Sequence, residues 1–310
     1  MKHSFLCALS FAVAVAPTSV AHAAWTPLQP GWTVHEVPVA ISAVVLDDGL
    51  GSMAIDPVSG DFFVVGTTSP GGAISLLRVS QLGQVTDLGP CSITAPAHPH
   101  FDAVNRVVFV PNGNQLERFG ENGAPLGPIA APPSGPIATG PGGELYAVSD
   151  ASQSPSGLRL MRYDPALATW VPVRDVPASA SSPSLYGQLP DQLTIDETGR
   201  PFVTLGGQLF RIDDDATVLL GYTLLKAQLA VSGENALFGE SLFDAGDPGP
   251  AQGFAARPAG HALFGVAIAP GPTVLFLDSS APGVFALEVF TQAPTPAAKL
   301  SWGALKTLGH

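Results

Sequence analysis

A repeated segment constrains this chain more than any other feature. Ser52-Met53-Ala54-Ile55-Asp56-Pro57 runs through a Gly60 turn into the apolar stretch Phe62-Phe63-Val64. Pro136 to Ala147 (PIATGPGGELYA) and Gln192 to Val203 (QLTIDETGRPFV) repeat the pattern. Gln228 to Gly239 and Gly265 to Phe276 are further copies, and His98 to Phe109 is a degenerate one. The six turns fall at Gly60, Asn105, Gly143, Gly199, Asn235 and Pro272, at intervals of 45, 38, 56, 36 and 37 residues. A period near 40 is that of a propeller blade. Each copy reads as a hairpin. Alternating apolar residues form a half-buried strand, a Gly or Asn turn tolerates positive φ, and a second strand follows, rich in Val, Phe and Leu.

A second signature, Leu-x-Arg-apolar, follows in four copies: Leu76-Leu77-Arg78-Val79, Leu116-Glu117-Arg118-Phe119, Leu160-Met161-Arg162-Tyr163 and Leu209-Phe210-Arg211-Ile212. It marks a third strand, with a polar turn and a fourth short strand after it. The Arg stems are expected to pack between blades and to bond loop carbonyls. Asp213-Asp214-Asp215 lacks the Gly and Glu spacing of a calcium loop and reads as a solvated hairpin turn. The expected fold is therefore all-β: a six-bladed propeller of four-stranded antiparallel blades over residues 24–290. The ring would be closed by a terminal strand, either Trp32–Val39 or Leu300–Leu308, which removes free sheet edges. Residues 291–310 read as a Pro-rich linker and tail.

On these residues the chain resembles the six-bladed propellers of the NHL and TolB-like kind, over roughly residues 50–290. Among enzymes of that fold, the resemblance points to the gluconolactonase type. Its metal site uses a Glu-Gly near the start of the first blade, with Asn and Asp from later blades. Here Asp47-Asp48-Gly49 stands at the first position, and Asp191 and Lys226 stand where an Asn would be expected.

Composition narrows the function classes. Met1-Lys2-His3, an uncharged apolar run from Phe5 to Ala16, and Ala21-His22-Ala23 have the layout of a secretory signal peptide over residues 1–23. The expected location is secreted or periplasmic, with no membrane insertion. The full chain carries 13 Lys and Arg against 25 Asp and Glu, and loss of Lys2 with the signal moves the net charge from −12 to −13. That balance disfavours nucleic acid and anionic lipid as partners. Cys91 would be the one cysteine left after cleavage, read as a small buried apolar residue rather than a reactive thiol. A monomer is expected.

No Gly-x-Ser-x-Gly elbow, phosphate loop, His-Glu-x-x-His or Cys-x-x-Cys is present. His98-Pro99-His100-Phe101-Asp102 is the densest polar cluster; on one strand its three polar residues share a face but spread over about 13 Å. Propeller sites gather where the first strand of each blade begins, which nominates Asp48, His98, Asp191, Gln192, Lys226 and His261 as channel-mouth residues. Asp48, His98 and Asp191 are the metal-ligand candidates, for a divalent cation such as calcium or zinc. The leading expectation is a non-catalytic scaffold for a protein or a small polar ligand. The alternative is a metal-dependent hydrolase, lactonase-like, or a lyase.

Overall fold

The structure is a computed structural model that describes residues 24–45, 53–92, 98–151, 154–179, 188–223, 229–233, 235–246, 248–269 and 273–293. Among these residues there is no α-helix, and each of six antiparallel sheets forms one blade. In the first blade, two short strands, Ala43–Val44 and Ala54–Ile55, share the inner position along Phe62–Thr67, with Ser75–Val79 and Val85–Pro90 outside them. The second blade begins with His100–Asp102, the third with Ile137–Thr139, the fourth with Gln192–Ile195 and the fifth with Leu229–Ser232; each continues through three more strands. The sixth blade takes Ala262–Ala269, Thr273–Ala281 and Val284–Gln292 from the end of the chain.

Its fourth strand is Trp32–Val39, from the N-terminal side, paired in register from Trp32↔Gln292 to Val39↔Phe285. Between the two expected closing strands, the structure uses this one; residues 300–308 lie outside the described residues. The inner strands contact one another in succession, and that of the sixth blade returns to that of the first, so the ring is closed.

Burial follows the ring. Six hydrophobic clusters form, one at each blade–blade interface, rather than one central core. The second strand of a blade is sandwiched on both faces: every residue of Phe62–Thr67 and of Pro201–Leu205 is buried. Such strands leave few positions for charge, which accounts for a chain with only 12% charged residues. Cys91 is buried in the interface between the first two blades, where burial raises its thiol pKa to about 12.

The repeat turns are held by their aspartates. Asp56 accepts bonds from the Val58 amide and the Ser59 hydroxyl, Asp102 from the Val104 and Asn105 amides, and Asp196 from Thr198 and Arg200. Gly60, Gly143 and Gly199 take positive φ as expected. In the second copy the left-handed residue is Arg106 (φ 56°), one place beyond Asn105; in the fifth it is Gly233 (φ 59°), and Asn235 already belongs to the following strand. The Arg106 guanidinium reaches back to the first blade and grips both oxygens of Asp56, at 2.8 and 2.7 Å. This pairing, with the turn bonds, outweighs burial and holds Asp56 down at a pKa of about 2.

The signature arginines behave as expected in two of four copies. Arg118 bonds the Leu126 and Gly127 carbonyls, and Arg211 bonds those of Ala245 and Gly246 in the next blade. Arg78 instead pairs with Asp61, and Arg162 bonds Tyr146. Asp213-Asp214-Asp215 is more than a solvated turn. Arg174 of the third blade bonds the Ile212 and Asp213 carbonyls and pairs with Asp214, strapping that turn to its neighbour.

Candidate functional site: the central channel

The inner strands surround a central cavity of about 950 Å³. Six blades contribute to its wall, through segments around Ala54, Phe101, Ala138, Leu193, Ala230 and Ala267. These residues lie on the first strand of each repeat copy, and four of the six are Ala. Ala54, Phe101, Ala138, Leu193 and Ala267 are buried in the blade interfaces, while their strand neighbours Met53, Ile55, Thr194 and Ile268 stay partly exposed at the wall. The wall is consequently more apolar than polar, and no Lys or Arg belongs to its described part.

His98, Asp191 and Gln192 line this cavity, as their positions at the strand starts require. Two of them also hold the fold together. The Asp191 carboxylate accepts the Gly206 amide at 2.7 Å, within its own blade, and the Gln192 side-chain oxygen accepts the Leu229 amide at 2.8 Å, joining the fourth blade to the fifth. His261 does not line the cavity. Its Nδ1 sits against the Asp278 carboxylate, which also accepts the Trp25 indole N–H at 3.0 Å. Asp48 and Lys226 lie outside the described residues. Among the described residues no three His, Cys, Asp or Glu side chains come together closely enough to hold a metal ion.

The dense polar cluster is divided by the backbone. Strand pairing covers only His100–Asp102; Asp102 is buried and spent on the turn, while His98 and His100 remain at the cavity wall. Burial, helped by His98, holds His100 down at a pKa of about 3, so it is a neutral imidazole at ordinary pH. It can donate or accept a hydrogen bond but supplies no positive charge. Several prolines, among them Pro99, Pro132, Pro133 and Pro190, also belong to the wall. Sequence reasoning passed over these residues because it weighed only polar side chains; their signal was Pro shortly before the inner strands of the second, third and fourth blades.

No protein-family model matches the chain, and no curated protein sequence matches it. Solved structures do. A streptogramin B lyase aligns over 83% of this chain and 97% of its own at 11% identity, with a TM-score of 0.52. A gluconolactonase from Xanthomonas campestris aligns over 85% and 99% at 11% identity, with a TM-score of 0.52. This chain has the six-bladed propeller fold. At such identities the likeness is one of fold, and it agrees with the resemblance carried by the repeat. No described helix is long and apolar enough to cross a membrane.

Proposed function

We propose that this chain is an exported binding propeller that holds a small, compact ligand in its central channel without chemistry of its own. The carrying observation is a cavity of about 950 Å³ walled by all six blades, a volume suited to a small molecule. Its apolar wall favours a ligand with an apolar body. Asp191 and Glu197 on a wall with no described Lys or Arg favour a neutral or cationic ligand over an anion. The polar groups of the wall support binding over catalysis, since Asp191, Gln192 and Asp196 are engaged in hydrogen bonds that hold turns and blades. Residues 1–23 support export; the recovered protein is then expected to begin near Ala24, and a chain that keeps Met1 at its end contradicts this.

The test is calorimetric titration with matched aromatic probes, 2-phenylethylamine against 3-phenylpropionate and benzyl alcohol, on the parent and on Thr194→Trp, which crowds the channel wall. The amine or the alcohol is expected to bind the parent and to lose at least tenfold in affinity in the variant. Equal binding by both proteins removes the channel from consideration. The second reading, a metal-dependent hydrolase or lyase using Asp48, His98 and Asp191 with calcium or zinc, is favoured by the fold shared with a lyase and a gluconolactonase. Stoichiometric metal in the purified protein, with lactone turnover abolished by His98→Ala, would establish it in place of the first.

A further inference from the structure

The ring closes on an unusual patch. Along the closing ladder Glu36 stands directly opposite Glu288, and Glu288 stands opposite Phe276 on the next strand. Directly paired residues share a face, as do residues two apart on a strand, so Asp278 stands on that face as well. It turns into the aromatic cluster of Trp25, Phe254, Phe276 and Phe290 between the fifth and sixth blades. Three carboxyl groups thus occupy one patch, and two of them, Asp278 and Glu288, are each 1% exposed.

Their hydrogen bonding is incomplete. Among the described residues, Oδ1 of Asp278 and Oε1 of Glu288 have no hydrogen-bond partner. Asp278 Oδ2 is held by Trp25 and by His261. Among the described residues no ion pair reaches Glu288. The charged groups around it are Glu36 on the closing strand and Asp278 on the adjoining one, and His261 is spent on Asp278. On the fifth-blade side, Arg257 pairs with Glu240 and lies over the Trp25 ring, 6.0 Å from its centre. An ionised Glu288 would be desolvated and would face two like charges, a costly arrangement that a proton relieves.

We propose that this seam is a proton-operated latch: Glu288 keeps the ring shut while it carries its proton, and its ionisation loosens the strand Trp32–Val39 from the last blade. Ionisation sends one proton to solvent and leaves a buried anion beside Glu36 and Asp278. The least costly relief is movement of the outermost strand, which carries Glu36 and admits water to Glu288. The sign follows from the raised proton affinity. Burial, then Glu36 and Asp278, lift Glu288 from 4.5 to about 7. The folded seam therefore binds this proton more tightly than the opened one. Its stability is full below about pH 4.5, declines toward about pH 7, and stays low above that. The latch is independent of what the channel binds.

Hydrogen exchange tests it. Protection factors for the amides of 32–37 and 39, corrected for intrinsic exchange, are followed from pH 5 to pH 8, with amides of Phe62–Thr67 as the internal reference. The closing strand is expected to lose about tenfold to a hundredfold in protection relative to the reference. Glu288→Gln is expected to abolish that loss and keep the strand protected throughout. Constant protection in the parent overturns the latch, and so does a loss that persists in the variant. Should Glu288→Gln not fold, carboxyl carbon resonances of the parent decide. A Glu288 midpoint near 7 that shifts the closing-strand amides supports the proposal. A midpoint in the ordinary Glu range, or one near 7 that moves no such amide, overturns it.

Discussion

Asp56 shows how much a single repeat residue carries. It caps its own turn and receives both guanidinium nitrogens of Arg106 from the next blade, so one carboxylate serves a turn and an interface together. Asp56→Ala leaves Arg106 with Glu121 as its one carboxylate partner among the described residues and removes the turn bonds, at an expected cost of about 2–3 kcal/mol, read as a lower midpoint in urea unfolding. Its depressed pKa also gives a pH signature. The contribution is whole above the ordinary 3.8 and drains away as pH falls toward about 2. The parent should therefore lose stability over that acid window, and Asp56→Asn should lose less of it. The aspartates were legible in the repeat because a turn needs an acceptor there. Glu288 was not. In the stretch Phe285-Ala286-Leu287-Glu288-Val289-Phe290 an acid between apolar residues looks like a solvent-facing position, but blades bury both faces, and only the ring shows that this face is covered.

The turns and strands of a blade must fit those of its neighbour. A Cβ on Gly143 would meet Asn105 Nδ2 at 2.7 Å and Asp102 Oδ1 at 2.9 Å, both in the preceding blade, and the residue holds φ at 82°. Gly143→Ala therefore strains the backbone and presses on the neighbouring turn, with an expected loss of about 2 kcal/mol, or about 5 °C in the thermal midpoint. Gly199 has φ at 85° but open space around it; its Ala variant should lose less, and equal losses in the two would mean that the inter-blade contact contributes nothing. At this scale the spacing of turns predicted six hairpins, and six hairpins formed. Two of the described turns shifted: in the degenerate second copy Arg106 takes the left-handed place and bonds Asp56, and in the fifth Gly233 takes it and its amide bonds Glu197, while Pro272 lies outside the described residues. Channel residues were legible only as strand starts. Whether such a residue faces the cavity or a neighbouring carboxylate depends on register, and the bulge between Leu263 and Gly265 lies where the long inner strand of the sixth blade leads away to His261.

For the whole molecule, six separate interfaces replace one core, so the ring holds only if every neighbour is present. A chain that starts at residue 40 lacks the outer strand of the sixth blade and bares the edge of Val284–Gln292. Such a chain is expected to elute as aggregates in size-exclusion chromatography; a stable monomer with an unchanged unfolding midpoint would mean that the closing strand is dispensable. The propeller and its blade number were legible in the six repeat copies, and closure in the terminal segments, while the choice of closing strand was not, because segments at both ends offered one. Closure by the N-terminal strand also fixes an order of events during synthesis. Trp32–Val39 is among the first strands to be made and Val284–Gln292 is the last of those described, with some 240 residues between them. Until the final hairpin is complete, the first strand has no partner, and no shorter product of translation can shut the ring.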